Sequence, residues 1–389
     1  MSSWLNRTTL GTSLASLLSD ISHELATAVL PVFLTSLGAG SAALGWIEGT
    51  ADGLSAVAKL WGGVAADRVR RRKPLASIGY LVTGLGTAAI GLCSTSGQVM
   101  ACRVVAWIGR GSRGPARDVL MAEGVPAEAH GRAFGLERGA DALGAVLGPL
   151  FAMALLARGV EPRQMMLASL LPGFLAFLSV ALLIVERPHE PRRAALSPIA
   201  EISGAGRPFR RYLLGILLFG SGDFSRTLLI LYATQHMTGS LFSLSGAAAA
   251  VALYVLHNAT SALLALPIGV LADRLGHRRV VVGGYLFAAA TTFGFALAPP
   301  APGWLLFLFV CSGTYVACEE VAEKSYAASL LDPSRRGAGM GLLAAANGVG
   351  DMVSSALVGT LWAVAPHPAW GFAIAALLQL MGALRISKP

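Results

Sequence analysis

Apolar residues in this chain run in blocks of about 20, separated by short polar segments that gather most of the charge. Twelve such blocks cover residues 10–36, 43–66, 74–94, 97–120, 133–157, 164–186, 212–235, 244–271, 279–299, 303–326, 338–362 and 368–386. A helix of about 20 residues crosses the roughly 30 Å of bilayer hydrocarbon, where every backbone N–H and C=O must be satisfied within the fold. The pattern predicts an all-α integral membrane protein with twelve transmembrane helices. One stretch breaks the rhythm: Glu186 to Arg211 is long, polar and proline-bearing, and reads as a linker. It separates an N-terminal six-helix bundle at 1–186 from a C-terminal one at 212–389, with the linker at 187–211.

Composition agrees with this picture. Of 389 residues 54% are hydrophobic and 13% charged, about half the charge of a soluble domain. The net charge of +9 could suggest a nucleic-acid partner, but its distribution argues against one. Basic residues gather in alternate loops: Arg68 to Lys73, Arg132, Arg187 to Arg211, Arg274 to Arg279, and Arg335 with Arg336. By the positive-inside rule these loops and both termini are cytoplasmic. The expected partners are therefore the lipid bilayer and a small-molecule substrate, with no nucleic acid. The first apolar block is too long for a cleavable signal peptide and lacks a cleavage site. Cys93, Cys102, Cys311 and Cys318 lie in or beside predicted helices and read as small buried hydrophobes, with a Cys93–Cys102 disulfide as the alternative.

The chain also repeats itself. Gly63, Asp67 and Arg68 form a Gly-x-x-x-Asp-Arg motif followed by Arg70, Arg71, Arg72 and Lys73; Gly269, Asp273 and Arg274 form a second, followed by His277, Arg278 and Arg279. The aspartates are 206 residues apart (273 − 67). The same offset pairs Asp52 with Asn258 and Asp141 with Asn347, while an offset of 203 pairs Asp20 with Asp223. Duplicated bundles with matching charged loops are a ground plan of secondary transporters.

On these residues the chain resembles the major facilitator superfamily over its full length. The resemblance implies two pseudo-symmetric six-helix bundles that rock about a central cavity lined by helices 1, 4, 7 and 10. It also implies that the paired loops, with Gly63, Asp67, Arg68 and Arg71 in one and Gly269, Asp273 and Arg274 in the other, latch the cytoplasmic side. A small residue there would let helix 2 approach a neighbour closely, and the alternative is a plain topology anchor. Arg70 departs from the family's loop glycine, which Gly276 keeps. Arg103 resembles the helix-4 arginine linked to proton transfer in exporters. The run Gly144-Ala-Val-Leu-Gly148-Pro149 resembles the glycine–proline signature of the antiporter branch, and implies tight packing of helix 5 on helix 8.

Ionisable residues inside the spans cost at least about 2.5–3.5 kcal/mol each at the bilayer centre, so they must face a cavity or each other. Asp20 and Glu24 share one helix face with His23 between them; Glu48 and Asp52 repeat the spacing in the second span. With Arg103, Arg110, Asp141, Asp223, Arg226 and Asp351 they are the candidate proton-coupling or substrate residues, set against a reading as structural ion pairs. Two neighbouring carboxylates repel, so one should hold its proton more tightly. The fourth span carries Arg113, Arg117 and Asp118, whose repeat positions in the tenth are Glu319, Glu323 and Lys324: the charges are inverted. Three readings stay open: a cytoplasmic gate joining Arg113 and Arg117 to Glu319 and Glu323, binding of an anionic substrate, and pairing within each bundle.

No phosphate-binding Gly-x-x-x-x-Gly-Lys-Ser run, His-Glu-x-x-His site, nucleophile elbow or histidine-rich tail is present. An enzyme, a metal site and a bound cofactor are not expected; the proton gradient is the expected energy source. The leading expectation is a monomeric, proton-coupled exporter of a small amphiphilic molecule in a bacterial cytoplasmic (inner) membrane. The alternatives are an uptake permease for a nutrient, siderophore or organic anion, and a non-transporting membrane sensor or assembly protein of the same fold.

Overall fold

The structure, a computed structural model, describes residues 4–126, 130–186, 206–237, 244, 246–297, 301–331, 336–365 and 367–387. Within these ranges the side chains of Val64, Asp67, 130–132, Asp273, Ser325, Ala328 and 336–338 are not among those described. The expected linker therefore lies mostly outside the described residues, and so do the side chains of both loop aspartates.

The described residues are almost entirely helical. The helices are α1 (Arg7–Ser36), α2 (Ser41–Arg68), α3 (Lys73–Ala89), α4 (Ser96–Gly124), α5 (His130–Ala157), α6 (Pro162–Ala168), α7 (Leu170–Leu183), α8 (Arg207–Gly220), α9 (Arg226–His236), α10 (Gly246–Leu275), α11 (His277–Leu297), α12 (Pro302–Leu330), α13 (Arg336–Val364) and α14 (Ala369–Ser387). Nine segments among the described residues are long and apolar enough to cross a membrane. The remaining expected spans fall short for physical reasons. The second and fourth, α2 and α4, carry ionisable and small polar residues inside the span, and the seventh is interrupted between α8 and α9.

Two compact units make up the chain: residues 1–37 with 54–195, and residues 38–53 with 196–389. Helix α2 thus contributes its first half to unit 2 and its second half to unit 1. Gly45, Gly49 and Gly53, spaced four apart, explain the assignment of the first half. A Cβ on Gly49 would lie 2.6 Å from the carbonyl oxygen of Met352, and one on Gly53 2.8 Å from the Met352 sulfur, so only glycine lets α2 approach α13 this closely.

Unit 1 has a core of small and aliphatic side chains, among them Ala15, Ala76, Tyr80, Ala116, Leu120, Ala176 and Val180. The core of unit 2 is built on aromatics: Phe209, Tyr212, Phe219, Tyr285 and Tyr315, with Phe219 and Tyr285 stacked 3.5 Å apart. Outside these cores Leu263, Leu266, Leu171 and Trp61 are exposed, as expected where the surrounding solvent is lipid. Cys93 and Cys102 are free thiols with their sulfurs 3.8 Å apart; Cys311 and Cys318 are free as well.

Candidate functional site

In unit 1 the charged side chains of α1, α4 and α5 meet in one network. Arg110 lies 3.0 Å from the Asp20 carboxylate, and Asp141, which accepts from Arg138 at 3.0 Å, lies in the field of both Asp20 and Arg110. Arg117 binds Glu137 at 2.7 Å, donates to Ser16 at 2.8 Å and chelates Asp118 through Nε and Nη2. Arg113 is buried, donates to Ser19 at 2.6 Å and stacks 3.8 Å over the Tyr80 ring. Arg103, 1% exposed, donates to Thr27 and lies 3.6 Å over Trp107, whose indole also packs on His23 at 4.4 Å. His23 Nε2 stands 3.6 Å from Glu24.

This network needs α5 close to α1. A Cβ on Gly144 would sit 2.9 Å from Asp20 Cβ, and one on Gly148 2.8 Å from Glu24 Cβ. The helix these glycines admit is α1, in place of the eighth-span helix expected from the sequence. They set the height at which α5 passes Asp20 and Glu24. Pro149, one residue on, lies inside α5.

In unit 2 the organising feature is the break between α8 and α9. The run Ser221-Gly222-Asp223-Phe224-Ser225 leaves the helix, and the carbonyls it exposes at Gly222, Asp223 and Phe224 each find a donor. Gln379 donates to Gly222 O at 3.1 Å, Ser354 to Asp223 O at 2.8 Å, and Arg226 to Phe224 O at 2.7 Å. Irregular backbone at membrane depth is tolerated only with such compensation, and discontinuous helices are where transporters place binding sites.

Around this break sit the acids. Asp223 receives both guanidinium nitrogens of Arg226, at 2.9 and 3.0 Å, and the hydroxyl of Tyr315 at 3.3 Å. Glu319 shares the same guanidinium at 3.8 Å. Glu323, 2% exposed, accepts from the Tyr285 hydroxyl and from Asn347 at 2.8 Å. Glu48 accepts from Ser225 at 3.1 Å, and half-buried Asp351 lies in the field of Asp52 and Asp223. Lys324 is exposed, one residue beyond Glu323.

Arg117 and Glu319, two of the residues considered for an inter-bundle gate, thus have ionic partners inside their own units, Glu137 and Arg226. Among the gate, anion-binding and within-bundle readings, pairing within each bundle describes these contacts.

A family model described as the Major Facilitator Superfamily matches residues 12–256 and 212–387. The chain belongs to that superfamily. An uncharacterised MFS-type transporter of Methanocaldococcus jannaschii is 26% identical over 353 residues, 90% of this chain and 87% of that protein. An uncharacterised protein of Mycobacterium tuberculosis H37Rv is 27% identical over 376 residues, 93% and 88%. Among solved structures, a POT family transporter in complex with 5-aminolevulinic acid superposes with a TM-score of 0.82 at 13% identity, covering 98% of this chain and 97% of that one. A bacterial homologue of the lysosomal transporter Spinster, inward-facing and occupied, gives 0.73 at 17%, covering 97% and 93%. These likenesses show the fold. This superfamily member is a multi-pass membrane transporter, with the lipid bilayer and a small-molecule substrate as its partners.

The superfamily's loop motif holds a correction. Among the described residues, a Cβ on Gly63 would meet only Pro115 at 4.0 Å, and one on Gly269 only Val321 at 3.6 Å, both ordinary contacts. The close approach falls one residue earlier, at Gly62, where a Cβ would lie 2.5 Å from Ser112 O. Arg68, Arg71 and Arg274 are exposed. The buried arginine of the first loop is Arg72, which donates to Ala66 O at 2.9 Å and to Glu123 at 2.7 Å. Glu186 accepts from the backbone N–H groups of Arg72 and Lys73, capping α3. Glu123 and Glu186 are not recognisable from sequence as partners of this loop, because nothing in one dimension brings residues 72, 123 and 186 together. In the second loop Gly276 has φ +90°, the left-handed conformation that favours glycine.

Proposed function

We propose that this transporter is a secondary exporter that moves a small amphiphilic molecule out of the cell by alternating access, in exchange for protons. The observation that carries the reading is Asp20, buried in α1 with Arg110 3.0 Å away and Asp141 of α5 in the same electrostatic network. A proton bound here relieves the repulsion of two neighbouring carboxylates, and Arg110 stabilises them once it leaves. Proton binding here changes the charge on the face of α1 that Gly144 and Gly148 hold against α5, which gives transport a handle on helix packing. Export is supported by the resemblance of Gly144 to Pro149 to the antiporter signature. Orientation with both termini cytoplasmic, in a bacterial inner membrane, follows from the basic loops. No cofactor enters the scheme; the energy source is the proton gradient.

A second reading rests on Arg113. Its Nη1 is buried without a hydrogen-bond partner, and among the described residues no carboxylate lies within ion-pair distance of it. An organic anion would complete that guanidinium, which makes the protein an anion permease.

A panel of cationic, neutral and anionic compounds in proteoliposomes separates the two. The exporter reading predicts pH-gradient-driven movement of amphiphilic cations or neutral molecules, abolished by Asp20→Asn in protein that still folds. Movement of anions alone, lost in Arg113→Ala and indifferent to Asp20→Asn, overturns it.

A further inference from the structure

Among the described residues, no acid answers the basic corner of the second loop motif. A cavity of about 880 Å³ opens there, lined by Gly276, His277, Arg278, Arg279, Tyr326 and Ser329 among others, with no acidic side chain among the described residues of its wall. Arg278 is committed to the end of α14, donating to Ile386 O at 3.0 Å and Ser387 O at 2.6 Å. Arg279 is exposed, and no carboxylate pairs with it among the described residues. His277 Nδ1 is buried without a partner, and α11 begins at this point, so the positive end of its dipole faces the same space.

The first copy of the motif shows what such a corner requires. The 206-residue offset maps Arg72 and Lys73 onto Arg278 and Arg279. In unit 1 that corner holds two carboxylates: Glu123 on Arg72, and Glu186 on the start of α3. Ser329 stands at the repeat position of Glu123 and lines the cavity. One half of the protein answers these cations with its own acids, and the described residues of the other do not.

An apolar groove lies beside the cavity. Leu286 lines both it and a second hollow of about 480 Å³ bounded by Ala289, Ala290, Phe293, Ala373 and Leu377 of α11 and α14. From His277 to Phe293 the helix rises about 24 Å, of which the stretch from Leu286 to Phe293 is about 10 Å. That stretch fits within the roughly 15 Å hydrocarbon depth of one leaflet. A polar, cationic pocket beside an apolar groove has the shape and charge of one class of ligand.

We propose that this corner of unit 2 is a binding site for an anionic phospholipid. Its phosphate takes the place at His277, Arg278 and Arg279 that Glu123 and Glu186 take in unit 1, and one acyl chain lies in the groove between α11 and α14.

Native mass spectrometry of delipidated protein, offered phosphatidylglycerol and phosphatidylcholine of identical chains, tests the site without any transport assay. The expected result is about a tenfold preference for phosphatidylglycerol, which corresponds to about 1.4 kcal/mol. It should be lost in Arg279→Ala and in Ser329→Glu, which supplies the acid of the first repeat. Arg210→Ala, which removes an exposed cation elsewhere, should keep the preference, and melting curves in detergent should show that all variants fold. Equal retention of both lipids by the unmodified protein overturns the proposal. Undiminished preference in both Arg279→Ala and Ser329→Glu does so too, as does displacement of the lipid by millimolar inorganic phosphate, which would make the site one for free phosphate.

Discussion

The two units place carboxylates at equivalent positions and neutralise them in opposite ways. In unit 1, Asp20 takes its cation from another helix, Arg110 of α4, and three more arginines line the same helix. In unit 2 the repeat-related Asp223 takes its cation from three residues along its own chain, Arg226, because α12 offers Glu319 and Glu323 where α4 offers Arg113 and Arg117. Unit 1 can lose one arginine and keep a positive field. Unit 2 holds Asp223 and Glu319 on a single guanidinium. Duplication supplied the scaffold, and divergence of α4 from α12 made one bundle redundant in cations and the other dependent on one.

That contrast can be broken directly. Arg226→Ala should be the most damaging change, leaving Asp223 and Glu319 buried together without a cation at a cost of about 3–5 kcal/mol. It should appear as a large drop in melting temperature and loss of transport, partly restored by adding Asp223→Asn. Arg110→Ala should be clearly milder in the same melting assay, since Arg103, Arg113 and Arg117 remain on α4. Equal damage from the two would remove the distinction between the units.

Overpacking comes next. Gly148→Leu forces α5 away from α1 at Glu24, and an inserted side chain of this kind costs about 1–3 kcal/mol. Detergent melting should fall accordingly, and proton-coupled transport should fall further, because that spacing holds α5 against Asp20 and Glu24. The smallest effect is expected at the motif glycine. Gly63→Ala should change stability by no more than about 0.5 kcal/mol, whereas Gly62→Ala, one residue away, must push α2 off Ser112 and should be measurably destabilising.

Much of this is legible in one dimension. Apolar blocks and alternate basic loops predict the helical membrane architecture, and the 206-residue ruler predicts the inversion of charge between α4 and α12. The interruption at Ser221–Ser225 is hidden because it lies inside an otherwise apolar block. Its signal is the sequence Gly-Ser-Gly-Asp, readable only once Gln379 and Ser354 are known to wait for the freed carbonyls. The glycines at 45, 49 and 53 carry a visible four-residue period that predicts close packing, yet only the folded chain names α13 as the neighbour. Partners such as Glu123 and Glu186 for the Arg72 loop lie 51 and 114 residues away, beyond any local pattern.

The central claim is that Asp20 and Asp141 share a proton that transport uses. Infrared difference spectroscopy of the purified protein near neutral pH reads a protonated carboxyl without requiring a known substrate. The account predicts a protonated-carboxyl band that is lost in both Asp20→Asn and Asp141→Asn and kept in Glu137→Gln, whose carboxylate is ion-paired to Arg117. A band unchanged by either aspartate substitution would contradict it.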